Sequence, residues 1–167
     1  MSYIARITSF PARATLLVLL SSLIIFLFCF ISTATPQFDS ANAWKHLTAQ
    51  CDFGARVPGT EAHRLCLDYL DSNLAQYAES VERQSFWDSH PVTGETLRFT
   101  NLIARFGSQH SRRLLLCAHW DSRPWSDQDP DPENRQMPVL GANDGASGVA
   151  VLLEIARCLS LQDPGIG

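Results

Sequence analysis

Two short motifs hold residues able to bind a cation. Ala118-His119-Trp120-Asp121-Ser122 closes one apolar run, and Gly141-Ala142-Asn143-Asp144-Gly145-Ala146-Ser147-Gly148 opens another. Side chains alternate along an extended chain, so His119 and Asp121 should project the same way. A carboxylate two residues from an imidazole suits a metal ligand with a partner behind it, because the carboxylate fixes the tautomer and raises ligand basicity. Asp144 stands at or just before an expected helix start, among small residues that let backbone and ion approach closely. Imidazole plus carboxylate, with no thiolate required, is the palette of a zinc hydrolase. Each motif alone has a plainer reading. His-x-Asp is commonly a satisfied polar pair, and Asn-Asp-Gly a turn followed by a helix cap. In this order and at this separation, they point to a metal site with His119 and Asp144 as ligands and Asp121 orienting the imidazole.

Such a site needs a strand, a loop and a helix to position it. Leu114-Leu115-Leu116-Cys117-Ala118 follows Arg112 and Arg113 and reads as a short strand buried on both faces, as in a parallel sheet. Ligands of open α/β sheets collect at the carboxyl ends of strands, where His119 and Asp121 would sit. Val149 to Arg157 continues the second motif as a helix. The fold class expected is therefore α/β. The intervening loop, Arg123 to Pro138, holds Asp127, Asp129, Asp131 and Glu133 among prolines. Calcium is disfavoured there, because prolines stand where a calcium loop needs a flexible, glycine-turned chain. Trp120 and Trp125 either form an apolar wall for a small substrate side chain or are ordinary packing.

These motifs resemble the zinc exopeptidase family of bacterial aminopeptidases and glutaminyl-peptide cyclotransferases. The segment Ser122-Arg123-Pro124-Trp125-Ser126-Asp127, with Asp129 to Pro132, looks most like bacterial members of the glutaminyl cyclase branch. Phe53-Gly54-Ala55-Arg56-Val57-Pro58-Gly59-Thr60 and Asn101-Leu102-Ile103-Ala104 extend the likeness, which runs from about Ala43 to Gly167. The resemblance implies a three-layer fold with a mixed, mostly parallel central sheet, a zinc cofactor, and peptide or protein N-termini as substrates. In the cyclase branch, the substrate's own N-terminal amine attacks its glutamine γ-amide and expels ammonia as pyroglutamate forms. In the aminopeptidase branch, water attacks the first peptide bond. By position, Asp144 is the ligand common to both branches. His119 would bind a second metal in aminopeptidases and stand behind the ligands in single-zinc cyclases. A membrane-anchored domain that keeps the fold without catalysis is a third reading.

The family takes its base glutamate and further ligands from strands and loops after the helix that ends here near Leu159. Zinc catalysis normally uses three protein ligands and an open position. Residues 35–167 are therefore expected to be the N-terminal part of a longer catalytic domain. Alone they should bind zinc poorly and catalyse little.

Upstream, Arg6 and Arg13 precede an uncharged apolar stretch from Ala14 to Ile31, followed by Ser32-Thr33-Ala34. A basic segment, a long apolar segment and small residues suit a signal peptide over residues 1–34. The apolar stretch also has the ~17–25 residues of a membrane anchor. Either way the remainder should be exported: periplasmic, secreted, or anchored outside the cytoplasm. Removing Arg6 and Arg13 from the 13 basic residues leaves 11 against 17 acidic ones, a formal net charge of −6. That balance disfavours nucleic acid or anionic lipid as a partner.

The other elements follow from periodicity. Phe38 to Gln50 reads as a helix capped by Asp39 or Ser40. Thr60 caps a second helix, with Leu65, Tyr69, Leu70, Leu74 and Tyr77 at helical spacing. Between them, Arg56 pins loop carbonyls or faces a substrate carboxylate. His63 is expected on the surface. Val81 to Trp87 and Leu97 to Phe106 read as antiparallel strands beside the strand from Leu114. Cys51 and Cys66 could pair, whereas Cys117 and Cys158 read as small core residues.

Overall fold

The computed structural model describes residues 35–90 and 94–167. The stretch from Ala14 to Ile31 and the turn residues Pro91, Val92 and Thr93 lie outside the described residues. Among the described residues, no helix is long and apolar enough to cross a membrane.

Helix α1 runs Ser40–Asp52. Its start is set by Asp39, whose carboxylate accepts from the backbone N–H groups of Ala41 and Asn42 at 2.9 and 3.3 Å. These donors have no partner within the helix, so the cap replaces water for both. Helix α2 spans Glu61–Leu74 and opens in the same way, with Thr60 Oγ1 accepting from His63 N at 3.2 Å. Strands β1 (Ser80–Ser89) and β2 (Thr96–Arg105) form an antiparallel pair in the register Ser80 to Arg105, Phe86 to Phe99 and Ser89 to Thr96. The Phe86 and Phe99 rings stack across the pair at 5.7 Å. A short 3-10 helix, Pro132–Gln136, begins at Asp131, which accepts from Glu133 N. Helix α3, Ser147–Leu161, follows a kinked turn at Ala142–Ala146.

The core lies where α2 and α3 meet. Cys66 and Leu70 from α2 pack with Val149 and Leu153 from α3, and Phe53, Tyr69, Leu74, Leu102 and Trp120 close around them. The i, i+4 spacing within each pair puts both residues on one helix face. Leu153 is fully enclosed, so its truncation to alanine should cost about 2–5 kcal/mol. Helix α1 packs along α3. Glu154, also enclosed, ties the two by accepting from Asp39 N at 2.8 Å and Asn42 Nδ2 at 2.6 Å.

The structure departs from expectation at the apolar run. Leu114 to Ala118 is in no sheet, and Leu114, Leu115 and Leu116 are 61, 83 and 48 % exposed. Among the described residues the sheet has two strands, β1 and β2, and neither is parallel to anything. Cys117 is accordingly exposed rather than in the core. The physical reason is pairing: a strand is buried by neighbours on its edges and faces, and this segment has few. At its start, Gly167 N donates to Arg112 O at 2.9 Å and Leu114 N donates to Gly167 O at 2.7 Å. Near its end, Ala118 lies against α3, where a Cβ on Gly148 would come 3.1 Å from the Ala118 Cβ.

Candidate metal centre

The His-x-Asp segment follows Ala118 outside any helix or sheet. His119 and Asp121 do project together, with Nδ1 3.4 Å from Asp121 Oδ1. Trp120, between them, turns the opposite way into the core. Its indole N–H donates to Thr100 O at 3.1 Å, and its face stacks on His63 with ring centroids 4.0 Å apart. Ordinary packing therefore accounts for Trp120. Trp125 meets His90 edge-on, at 5.4 Å between centroids.

Asp144 arrives from the kinked turn. Gly141 opens that turn in the left-handed region, at φ 68° and ψ 37°. Asp144 is extended, at φ −88° and ψ 99°, and Gly145 follows at φ 100°. The reversal projects the Asp144 carboxylate towards the histidine before α3 begins. Asp144 thus stands just before the helix, three residues ahead of its first residue, Ser147. Gly145 is needed twice over. Its φ suits glycine, and a Cβ there would approach Asp121 O to 3.0 Å and His119 Cε1 to 3.1 Å. The imidazole rests on the bare Cα side of this glycine.

As a result, His119 Nε2 lies 2.9 Å from Asp144 Oδ1. One imidazole has a carboxylate at each nitrogen, Asp144 at Nε2 and Asp121 at Nδ1. The three side chains are about half exposed, at 55 % for His119, 46 % for Asp121 and 64 % for Asp144, so solvent and ligands reach them. Two carboxylates around one imidazole make a locally negative, open site, which is the electrostatic requirement for a cation.

Donor chemistry allows zinc at this point: a neutral imidazole nitrogen and an Asp oxygen converge, and the second nitrogen has a carboxylate to hold its proton. Two donors do not complete a zinc site. Among the described residues, no group of three His, Cys, Asp or Glu side chains could hold an ion. The three aspartates of the 123–138 loop are used otherwise. Asp127 pairs with Arg123, Asp129 Oδ1 accepts from Asp131 N, and Asp131 caps the 3-10 helix.

Of two residues beside the site, one departs from its expected place and the other settles between two readings. His63, expected on the surface, is buried beneath Trp120. Burial lowers its pKa, and the nearby Asp121 charge offsets this in part. Arg56 takes the first of its two expected roles and pins loop carbonyls; it is fully enclosed and bonded to backbone oxygens rather than facing a substrate carboxylate. An arginine in a loop flanked by Gly54 and Gly59 is the signal for this role, since its five N–H donors can satisfy carbonyls that no helix or strand pairs. Among the described cysteines all four are free thiols, so Cys51 and Cys66 are not paired.

Comparison with known proteins bears on this geometry. Residues 101–165, which include both motifs, match the model of Peptidase family M28. A Zn-dependent exopeptidase from Parabacteroides distasonis is 45 % identical, with a TM-score of 0.76 over 80 % of this chain and 45 % of its own. Tannerella forsythia glutaminyl cyclase is 44 % identical at the same TM-score, over 78 % of this chain and 45 % of its own. A glutaminyl-peptide cyclotransferase of Drosophila melanogaster is 36 % identical over 110 residues, which are 64 % of this chain and 27 % of that protein. The chain thus spans less than half the length of these relatives.

Proposed function

We propose, from a chain that resembles the zinc exopeptidases of Peptidase family M28, that residues 35–167 form the N-terminal part of a zinc-dependent glutaminyl-peptide cyclotransferase domain. The observation carrying this reading is the 2.9 Å approach of His119 Nε2 to Asp144 Oδ1, with Asp121 behind the imidazole. Asp144 would hold the metal, with His119 standing behind it in a single-zinc cyclase and binding a second metal in a two-zinc site, and Asp121 would keep the His119 proton on Nδ1 so that Nε2 faces the metal. Zinc at that point would polarise a substrate carbonyl and stabilise the negative charge that develops on its oxygen.

The substrate's N-terminal amine would attack the γ-carbonyl of its own glutamine. The C–N bond to the γ-amide nitrogen breaks, and ammonia leaves as the five-membered lactam closes. Trp125, half-buried beside His90, would border the space for the glutamine side chain, with Trp120 as the support beneath His119. A base for the attacking amine, and at least one further ligand, must come from outside the residues described. The hydrogen bonds of Gly167 with Arg112 and Leu114 have the pattern of a parallel bridge. They support a parallel central sheet built on Leu114 to Ala118. Without such a sheet, these residues alone would be inactive.

The expected setting is outside the cytoplasm, by signal peptide or by an anchor at Ala14 to Ile31, with peptide N-termini as partners. A zinc aminopeptidase is the second reading, favoured by the exopeptidase named among the similar structures. Assay of the full-length protein with an N-terminal glutaminyl peptide and a leucyl peptide separates the two. Ammonia and pyroglutamyl peptide support the cyclase, and released free leucine supports the peptidase. Neither product from an intact, zinc-loaded protein would leave the non-catalytic domain.

A further inference from the structure

Arg56 is fully enclosed, yet its five acceptors are all backbone carbonyls. Its Nε donates to Trp120 O at 3.0 Å. Its Nη1 donates to Leu140 O at 2.9 Å, and more loosely to Gln50 O and Gly54 O at 3.3 and 3.4 Å. Its Nη2 donates to Gly141 O at 2.8 Å. In return, Arg56 O accepts from Ser122 N at 3.2 Å.

We infer that Arg56 is the positioning residue of the metal centre, a fork that fixes the His119 loop and the Asp144 turn at one separation. This rests on the reading of the His119 and Asp144 pair as part of the metal centre. Trp120, held through its carbonyl, is the residue between His119 and Asp121, and Ser122, held through its N–H, follows Asp121. Gly141, held by Nη2, opens the turn that projects Asp144. The approach is tight, since a Cβ on Gly141 would lie 3.0 Å from Arg56 Nη2 and 3.0 Å from Ser122 Cβ. A buried cation without a carboxylate is costly to keep, and a hydrophobic side chain would fill the volume without that cost. What a hydrophobic residue cannot do is bond two loops in fixed directions. A planar guanidinium can, and a lysine ammonium, a point donor on a flexible stem, cannot span both.

The test compares Arg56→Met and Arg56→Lys with the full-length wild type, using exposed Arg64→Met as the control. Zinc affinity is measured by chelator competition. The His119 tautomer is read from imidazole nitrogen NMR of metal-free protein. Arg56→Met should weaken zinc about 10–100-fold, the usual effect of losing support behind a ligand, and should leave His119 averaging between tautomers. Arg56→Lys should fall between Met and wild type. Millimolar methylguanidinium should restore both readouts to an Arg56→Ala protein. Folded Arg56→Met with wild-type affinity and a wild-type His119 spectrum would overturn the inference. If the Met variant does not fold, wild-type values for Arg56→Lys overturn it equally. Failure of both variants to fold also counts against it, because Arg56 would then hold the fold rather than the site. A wild type that binds no zinc, but whose single His119 tautomer is lost in Arg56→Met, sinks the metal reading and leaves the positioning role standing.

Discussion

His119 Nε2 and Asp144 Oδ1 stand 2.9 Å apart across 25 positions of sequence, while His119 Nδ1 faces Asp121 at 3.4 Å. The two carboxylates therefore have different tasks on one ring. Asp144→Asn in the full-length protein should abolish measurable zinc binding, because an amide oxygen is a much weaker ligand than a carboxylate. Asp121→Asn should leave zinc bound but about 10–100-fold more weakly, since it alters only the support behind the imidazole. Zinc content after dialysis at a series of free-zinc concentrations distinguishes the two; equal losses would remove the distinction.

Gly145 and Gly54 offer a matched pair of positive-φ glycines. Gly145 has φ 100° with Asp121 O and His119 Cε1 in the way of a Cβ, while Gly54 has φ 93° and nothing within 4 Å. Gly54→Ala should lose only the backbone preference, about 1 kcal/mol. Gly145→Ala should lose that and also push the imidazole aside, for a total of about 2–4 kcal/mol. Denaturant unfolding gives the two costs. If they match, the seating of the ring on Gly145 is not tight.

Some of this was legible in the sequence, and the reason is locality. Asp39 and Thr60 announce the starts of α1 and α2 because a cap acts within three residues. The alternation of a strand puts His119 and Asp121 on one side without any knowledge of the rest. The small residues around Asp144 signal a tight turn, and the turn at Gly141 and Gly145 is what delivers the carboxylate. What was not legible depends on distant partners. Leu114 to Leu116 has a buried strand's composition, but burial is conferred by neighbouring strands, and the run is exposed here. His63 looked like a surface residue on a helix's first turn. Only the inward rotation of Trp120, anchored by Thr100 O, makes it a core residue.

The thiols should separate by reactivity. Cys66 is completely enclosed, and burial pushes its thiol pKa up to about 11. Cys117 is exposed. A disulfide reagent near neutral pH should label Cys117 first, because the thiolate is the nucleophile and needs access. Cys66 should react only at the rate of unfolding. Mass mapping of a time course tests the order, and early labelling of Cys66 would show that the contact between α2 and α3 opens readily.

Glu154 should govern stability in acid. It is fully enclosed, and its carboxylate accepts from Arg157 Nε at 2.9–3.0 Å, from Asn42 Nδ2 at 2.6 Å and from Asp39 N at 2.8 Å. The Arg157 hydrogen bonds, then those from Asn42 and the Asp39 backbone, outweigh burial and hold its pKa down at about 2, well below the ordinary carboxylate range. A carboxylate with a depressed folded-state pKa contributes stability that is complete above the unfolded value and fades as pH falls through the folded one. The contribution should therefore be full above about pH 5 and be lost progressively towards pH 2. Its size is on the order of 3 kcal/mol by linkage. Glu154→Gln should lower stability at pH 7 by about that amount and flatten the pH dependence between 5 and 2, because the amide has no proton to gain. His46 adds an earlier phase: burial lowers its pKa below 6.5 and the Glu154 charge offsets this in part, so stability should begin to decline as pH drops below that value, more steeply in the Gln variant, which lacks the offsetting charge. Urea unfolding at half-unit pH intervals for both proteins is the measurement. Parallel curves between pH 5 and 2 would mean that Glu154 does not carry the acid sensitivity of the joint between α1 and α3.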